Sequence, residues 1–196
     1  MKIISLLLTL LVVGVSSWLG IRSGKPASRQ NSTQRSTQNS PQSSSQIAAP
    51  TDSADSDPAT VVRTIDGDTL IVRIGEEEHK MRILMIDTPE SVHEDPAMNV
   101  PMGKTASDFT KQYLPAGKEI TLEYDQEKTD QYGRLLAYIR VDDIDLGAKL
   151  VEEGLAKVVM YKPNKARHQA YLKLQKEAKK AKRGVWAYPY DEIFKK

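Results

Sequence analysis

Residues Ile3 to Val15 form a largely apolar run after Met1 and Lys2, and Ser16 to Ile21 extend it to nineteen positions before Arg22. This layout matches a secretory signal, with Val15 and Ser17 as the small side chains before a cleavage at Trp18. It equally matches a signal anchor, because nineteen residues approach the length that spans a bilayer. Residues 1–21 are therefore read as a signal peptide or signal anchor. From 22 to 57 the pattern vanishes into Ser, Gln, Thr, Asn and Pro, and ordering such a stretch costs backbone entropy with nothing to bury in return. This segment reads as a disordered linker.

Periodicity returns at residue 58. Ala59 to Ile65 and Thr69 to Ile74 flank Asp66-Gly67-Asp68, a hairpin turn signal, and His79 to Ile86 supplies a third strand of a meander. Lys118 to Tyr124 alternates Ile120, Leu122 and Tyr124 with polar neighbours, and Arg134 to Val141 is a fifth strand. Helical spacing marks Ala106, Phe109 and Tyr113 before Pro115, then Leu146, Leu150 and Val151 before Gly154, then Tyr171, Leu174, Ala178 and Ala181 before Gly184. Five short strands and three helices predict an α+β, mainly β, chain closed into a small barrel over residues 58–190, with 191–196 as a C-terminal tail. Trp186, Tyr188 and Phe194 are expected to dock the C-terminal segment on the core.

Composition sharpens this picture in two places. None of the 196 residues is cysteine, which excludes disulfides, thiolate metal sites and a cysteine nucleophile. The 28 Lys and Arg nearly balance the 26 Asp and Glu, so attraction to a polyanion depends on arrangement. Nine basic residues against Glu177 alone lie between Lys162 and Arg183, which is a solvated helix face or a polyanion contact.

The candidate chemistry gathers around the predicted third strand. Asp68 in the first turn and Asp87 at the end of that strand converge on one rim of a barrel, an expensive arrangement unless a cation joins them. Oxygen donors favour Ca²⁺ or Mg²⁺, and the scattered His79, His93 and His168 give no zinc spacing. The segment Arg82 to Glu90 places an arginine and several acids at opposite ends of an apolar core, a pattern that structural ion pairs also produce. Arg82 and Asp87 lie five residues apart, so a straight strand would send them to opposite faces, and a bulge or bend is required. Downstream, Arg134 enters a strand from a turn. Two guanidinium forks, two aspartates and Glu90 suit phosphoryl chemistry, in which cations offset charge at phosphorus and a carboxylate takes a proton from water.

Ile65-Asp66-Gly67-Asp68-Thr69, Arg82 to Glu90, Asp130-Gln131-Tyr132-Gly133-Arg134, and Gly154 to Val158 with Tyr161-Lys162-Pro163-Asn164 together resemble, in this order, the staphylococcal nuclease (thermonuclease) family over residues 58 to 187. The resemblance implies a five-stranded OB-fold barrel with three helices and a calcium-dependent nuclease of DNA and RNA that leaves 3′-phosphate ends. It further implies one Ca²⁺ held by Asp68, Asp87 and the backbone carbonyl of Thr88, with Asp66 just outside through water. Glu90 would serve the attacking water, Arg82 and Arg134 the scissile phosphate, and Tyr132 and Tyr161 the nucleotide. Three departures stand out: Val158-Val159-Met160 replaces a tyrosine-bearing segment, Gln131 replaces a common lysine, and residues 91 to 102 do not match residue by residue.

A non-catalytic OB-fold nucleic-acid binder is the alternative, and a calcium-stabilised surface module is a third reading that leaves both arginines without a role. The expected protein is a monomer, exported, and either secreted or attached to the membrane on its extracellular side.

Overall fold

The structure is a computed structural model that describes residues 55–194. The apolar run at 1–21, nearly all of the linker and the last two residues of the tail lie outside the described residues. Among the described residues no helix is long and apolar enough to cross a membrane.

Strand β1, Ser56–Thr64, begins two residues ahead of the domain start expected at 58 and pairs antiparallel with β2, Thr69–Ile74. Its register shifts between Val61 and Arg63, a bulge that bends the strand as barrel closure requires. β2 pairs with β3, Glu77–Ile83, completing the expected meander. The fourth and fifth barrel strands are β5, Glu119–Glu123, and β6, Leu135–Val141. β5 lies against β1, β6 lies against β5, and β6 returns parallel to β3 with Met81, Arg82 and Ile83 facing Leu135, Leu136 and Ala137. That last pairing closes a five-stranded barrel. Its lumen is filled by Val61, Leu70, Val72, Met81, Ile83, Leu122, Ala137 and Ile139, all buried, as alternation along each strand dictates.

The sequence of His79 to Ile86 is continuous in hydrophobicity but not in structure. β3 stops at Ile83, and a short strand β4, Ile86–Asp87, follows after Leu84 and Met85. Met85 has φ of +66°, a left-handed conformation that an L side chain adopts at a cost of about 1–2 kcal/mol. Burial of Leu84, Met85 and Ile86, together with hydrogen bonds from the Leu84 N–H to Ala137 and from the Val159 N–H to Met85, overdetermines the turn. This is the bend that the five-residue spacing between Arg82 and Asp87 demands.

Helix α1, Pro101–Tyr113, starts at a proline, where the missing N–H has no helical partner anyway, and ends before Pro115. After β7, Ile144–Asp145, helix α2, Leu146–Glu152, is capped by the Asp145 carboxylate, which accepts from the Ala148 N–H. Strand β8, Lys157–Val158, pairs with β4, and α3, His168–Lys180, follows. The chain then makes a 3-10 turn, Gly184–Ala187, and a final helical turn α4, Tyr190–Ile193. Residues 191–193 of the C-terminal tail are part of this helical turn. Val185, Ile193 and Phe194 form a small second core with Trp186 and Met102 packed on it, whereas Tyr188 stays exposed and does not dock as expected.

Candidate active site

Asp66-Gly67-Asp68 is built to project one carboxylate inward. The Asp66 carboxylate accepts from the N–H groups of Asp68 and Thr69 at 3.1 and 2.8 Å, folding the turn on itself. Thr110 of α1 donates its hydroxyl to the Gly67 carbonyl at 2.7 Å and pins the turn from behind. A Cβ on Gly67 would stand 2.8 Å from the Thr88 side chain, so only glycine allows this approach.

Asp68 is buried, and both of its carboxylate oxygens have protein partners. One oxygen accepts from the Thr69 hydroxyl at 2.9 Å and lies 3.2 Å from the Arg82 guanidinium; the other accepts from the Thr88 N–H at 2.8 Å and its hydroxyl at 3.2 Å. Thr88 therefore reaches Asp68 through its N–H and hydroxyl, which leaves its backbone carbonyl as the group the resemblance assigns to a metal. Burial pushes the Asp68 carboxyl up to about 6; Arg82 and the Thr88 N–H oppose that shift, and the Asp66 and Asp87 charges add to it.

Arg82 joins the rim together. Its guanidinium meets Asp68, donates to Asp87 Oδ1 at 2.5 Å and donates through Nε to the Tyr161 hydroxyl at 2.9 Å. Burial disfavours its charge, but Asp68, Tyr161 and Asp87 outweigh that and hold it more firmly protonated than usual. The second Asp87 oxygen faces Lys157 at 2.8 Å, a partner that had no assigned role in the sequence and is explained by the register Asp87 to Lys157 between β4 and β8.

Glu90 follows Pro89 beyond β4. Its carbonyl accepts from the Val100 N–H at 3.1 Å, and a Cβ on Gly103 would stand 2.1 Å from that oxygen, so the first turn of α1 seats directly on this backbone. Among the described residues no hydrogen bond or ion pair engages the Glu90 carboxylate, which is half-buried. The unmatched residues 91 to 102 contain a 3-10 turn at Pro96–Met98 capped by Asp95 and lead into α1.

Arg134 sits apart from the carboxylate pair. It is held by Asp130 at 2.7 Å through both Nε and a terminal nitrogen, while Asp130 also accepts from the N–H groups of Tyr132 and Arg134. Pairing of Arg82 with Leu136 places Arg134 two residues upstream of the position facing Arg82. Tyr132 is 74% exposed with the Arg134 guanidinium 5.5 Å from its ring, a flat face open to a stacking partner. Tyr161 is half-buried, and its hydroxyl is committed to Arg82.

Asp66, Asp68, Asp87, Thr88, Arg82 and Tyr161 are thus linked in one connected cluster, with Glu90 three residues beyond Asp87 and Arg134 in the turn just before β6. Among the described residues no three Asp, Glu or His side chains group closely enough to enclose a cation by themselves. A cation bound here would draw on the two carboxylates that Arg82 joins, Asp68 and Asp87, with carbonyl and water oxygens completing its shell. The donors are all oxygen, and the buried Asp68 charge is only partly offset by Arg82, so the residues present fit a hard divalent cation.

Residues 80–188 match the family model described as Staphylococcal nuclease homologue. The thermonuclease of Staphylococcus hyicus is 38% identical over 135 residues, which covers 69% of this chain and 79% of that protein. The thermonuclease of Staphylococcus intermedius is 40% identical over 126 residues, 64% of this chain and 74% of that protein. Endonuclease YncB of Bacillus subtilis (strain 168) is 37% identical over 130 residues, 65% of this chain and 61% of that protein. A closed five-stranded barrel, four ordered motifs and a model matched over more than half of the length lead to one assignment: the chain belongs to the staphylococcal nuclease family.

Proposed function

We propose that this protein is a nuclease that hydrolyses phosphodiester bonds of DNA and RNA with one Ca²⁺ as cofactor, breaking the 5′ P–O bond and leaving 3′-phosphate ends. The observation that carries the reading is the junction at Arg82, where one largely buried guanidinium ties Asp68, Asp87 and Tyr161 into a single rim cluster. Asp68, Asp87 and the Thr88 carbonyl would hold the ion, which supplies charge neutralisation at phosphorus and a more acidic bound water. Asp66 supports the site by fixing the turn that aims Asp68.

The chain's own side chains account for the remaining chemistry. Glu90, whose carboxylate has no partner among the described residues and whose backbone is backed by α1, takes a proton from the attacking water. Arg82, held in place by two carboxylates and a tyrosine hydroxyl, presents donors to the non-bridging phosphate oxygens as negative charge grows on them. Arg134 grips the same phosphate from the turn before β6 once it leaves Asp130, and it stabilises the departing 5′ oxygen. The exposed Tyr132 ring offers a stacking face for a nucleotide, and Tyr161 borders the phosphate through Arg82. The apolar run at 3–21 supports export, with the folded domain secreted or attached outside the membrane as a monomer.

Digestion of single- and double-stranded DNA and RNA tests this reading. Cleavage is expected with Ca²⁺ and not with a chelator, with ends that polymerase extends only after phosphatase treatment. A wild-type protein that binds polynucleotide and leaves it intact in Ca²⁺ would identify a binder and overturn the enzyme.

A further inference from the structure

The rim contains a second cation that the proposed chemistry does not use. Lys157 faces Asp87 across the β4–β8 pair, and its ammonium lies 2.8 Å from Asp87 Oδ2, the oxygen that Arg82 leaves free. Both side chains are mostly covered, at 19% and 28% exposure, so this pair is poorly screened compared with one on the open surface.

A lysine on a flexible four-carbon stem is ordinarily free to swing away from a carboxylate. Here the C-terminal residues prevent it. The Phe194 ring lies 4.1 Å from the Lys157 ammonium and the Tyr190 ring 5.6 Å, so the cation sits between two aromatic faces and one carboxylate. Phe194 is itself buried against Val185 and Ile193, with Met102 and Trp186 packed on the cluster, and Lys179 covers the Trp186 ring at 4.4 Å. Tyr190 and Phe194 lie beyond residue 188, where the family match ends, in and just after the final helical turn α4.

We infer that Lys157, clamped by Tyr190 and Phe194, is a built-in counter-cation that competes with the divalent ion for Asp87 and sets a weak metal affinity. The inference rests on the proposed role of Asp87 as a ligand. Two cations drawn to one carboxylate repel each other, and the metal must share Asp87 with an ammonium that the tail does not allow to leave. Removal of Lys157 does not release Asp87, because Arg82 still holds Oδ1 and the backbone remains fixed by β8. Losing the ammonium therefore tightens metal binding, which is opposite in sign to the effect of a merely structural lysine.

Equilibrium titration of the full-length protein with CaCl₂ alone, read by calorimetry, tests this directly. Lys157→Met is expected to lower the Kd for Ca²⁺ by about tenfold. Lys157→Arg, which keeps the charge, should stay within about twofold of wild type, and Tyr190→Ala with Phe194→Ala should lower the Kd by about threefold by freeing the ammonium. An unchanged or raised Kd in Lys157→Met overturns the inference while leaving the calcium site in place. No Ca²⁺ binding by the wild type would overturn the calcium reading and this inference together. If Lys157→Met does not fold, the aromatic double variant decides: a lower Kd supports the clamp and an equal or higher one refutes it.

Discussion

Two clusters of acids and arginines flank this barrel, and they differ in how completely their charges cancel. On the α3 side, Glu123 and Asp145 face Arg140 and Arg167, with Arg140 at 2.7 Å from Glu123 and Arg167 bonded to Glu123 and, at 2.9 Å, to Asp145. Two negative and two positive groups meet there, and Tyr171 adds a hydroxyl that donates to Asp145 at 2.6 Å. Burial would raise the Glu123 carboxyl, but hydrogen bonds from Arg140 and Arg167 outweigh it and hold it below its ordinary range. On the rim, among the described residues, Arg82 pairs with Asp68 and Asp87 and Lys157 pairs with Asp87, while Asp66 accepts from backbone N–H groups of its own turn; burial, with the Asp66 charge adding to it, pushes the Asp68 carboxyl up to about 6. A cancelled cluster joins a helix to a sheet. Under the proposed function, an uncancelled one is where an external cation and a polyanion would find a place.

The contrast is open to attack from both sides. The largest effect is expected at Arg82: Arg82→Lys should lower kcat by about 10³-fold or more, because a point charge cannot reproduce a planar fork between two carboxylates and a phosphate. Retention of activity in that variant would show that the rim cluster is structural after all. Glu90→Gln should lower kcat by about 10²- to 10⁴-fold with little change in KM or thermal midpoint, since no group among the described residues bonds to that carboxylate. An equal loss in binding would point to a positioning role.

On the opposite side, Arg167→Met should leave turnover near wild type under folding conditions and reduce stability by about 2–3 kcal/mol, a buried-pair loss discounted for the 21% exposure of the side chain. Urea denaturation measures it. The smallest effect concerns acid. Glu123 titrates lower in the folded chain than in the unfolded one, so its contribution is complete above the unfolded value near 4.5 and disappears as pH falls through the lower folded value. Glu123→Gln should therefore lower stability at neutral pH and flatten its fall below about pH 4.5. A parallel downward shift at every pH would assign Glu123 to packing instead of charge.

Much of this architecture is legible along the chain because its determinants are local. The Asp66-Gly67-Asp68 turn, the alternation in β2 and β5 and the prolines that bound α1 each act within a few residues. The need for a bend between Arg82 and Asp87 follows from strand parity, yet its site at Met85 does not, since methionine has no preference for a positive φ and only burial and two long-range hydrogen bonds hold it there. Thr88 is similar: its position beside Asp87 is plain, but its grip on Asp68 spans twenty residues and emerges only when the barrel closes. Lys157 and Arg167 are hidden for the same reason, as their acidic partners lie 70, 44 and 22 positions away. The aromatic tail reads as docking residues, but Tyr188 faces solvent while Phe194 and Tyr190 reach a lysine that no local pattern associates with them.

The distinction between the two clusters is tested most directly by Ca²⁺ titration of the wild type, Asp68→Asn and Arg167→Met side by side. One saturable ion should bind to the wild type and to Arg167→Met, and binding should vanish in Asp68→Asn. Equal Ca²⁺ binding by Asp68→Asn and the wild type would contradict the assignment of the rim as the cation site.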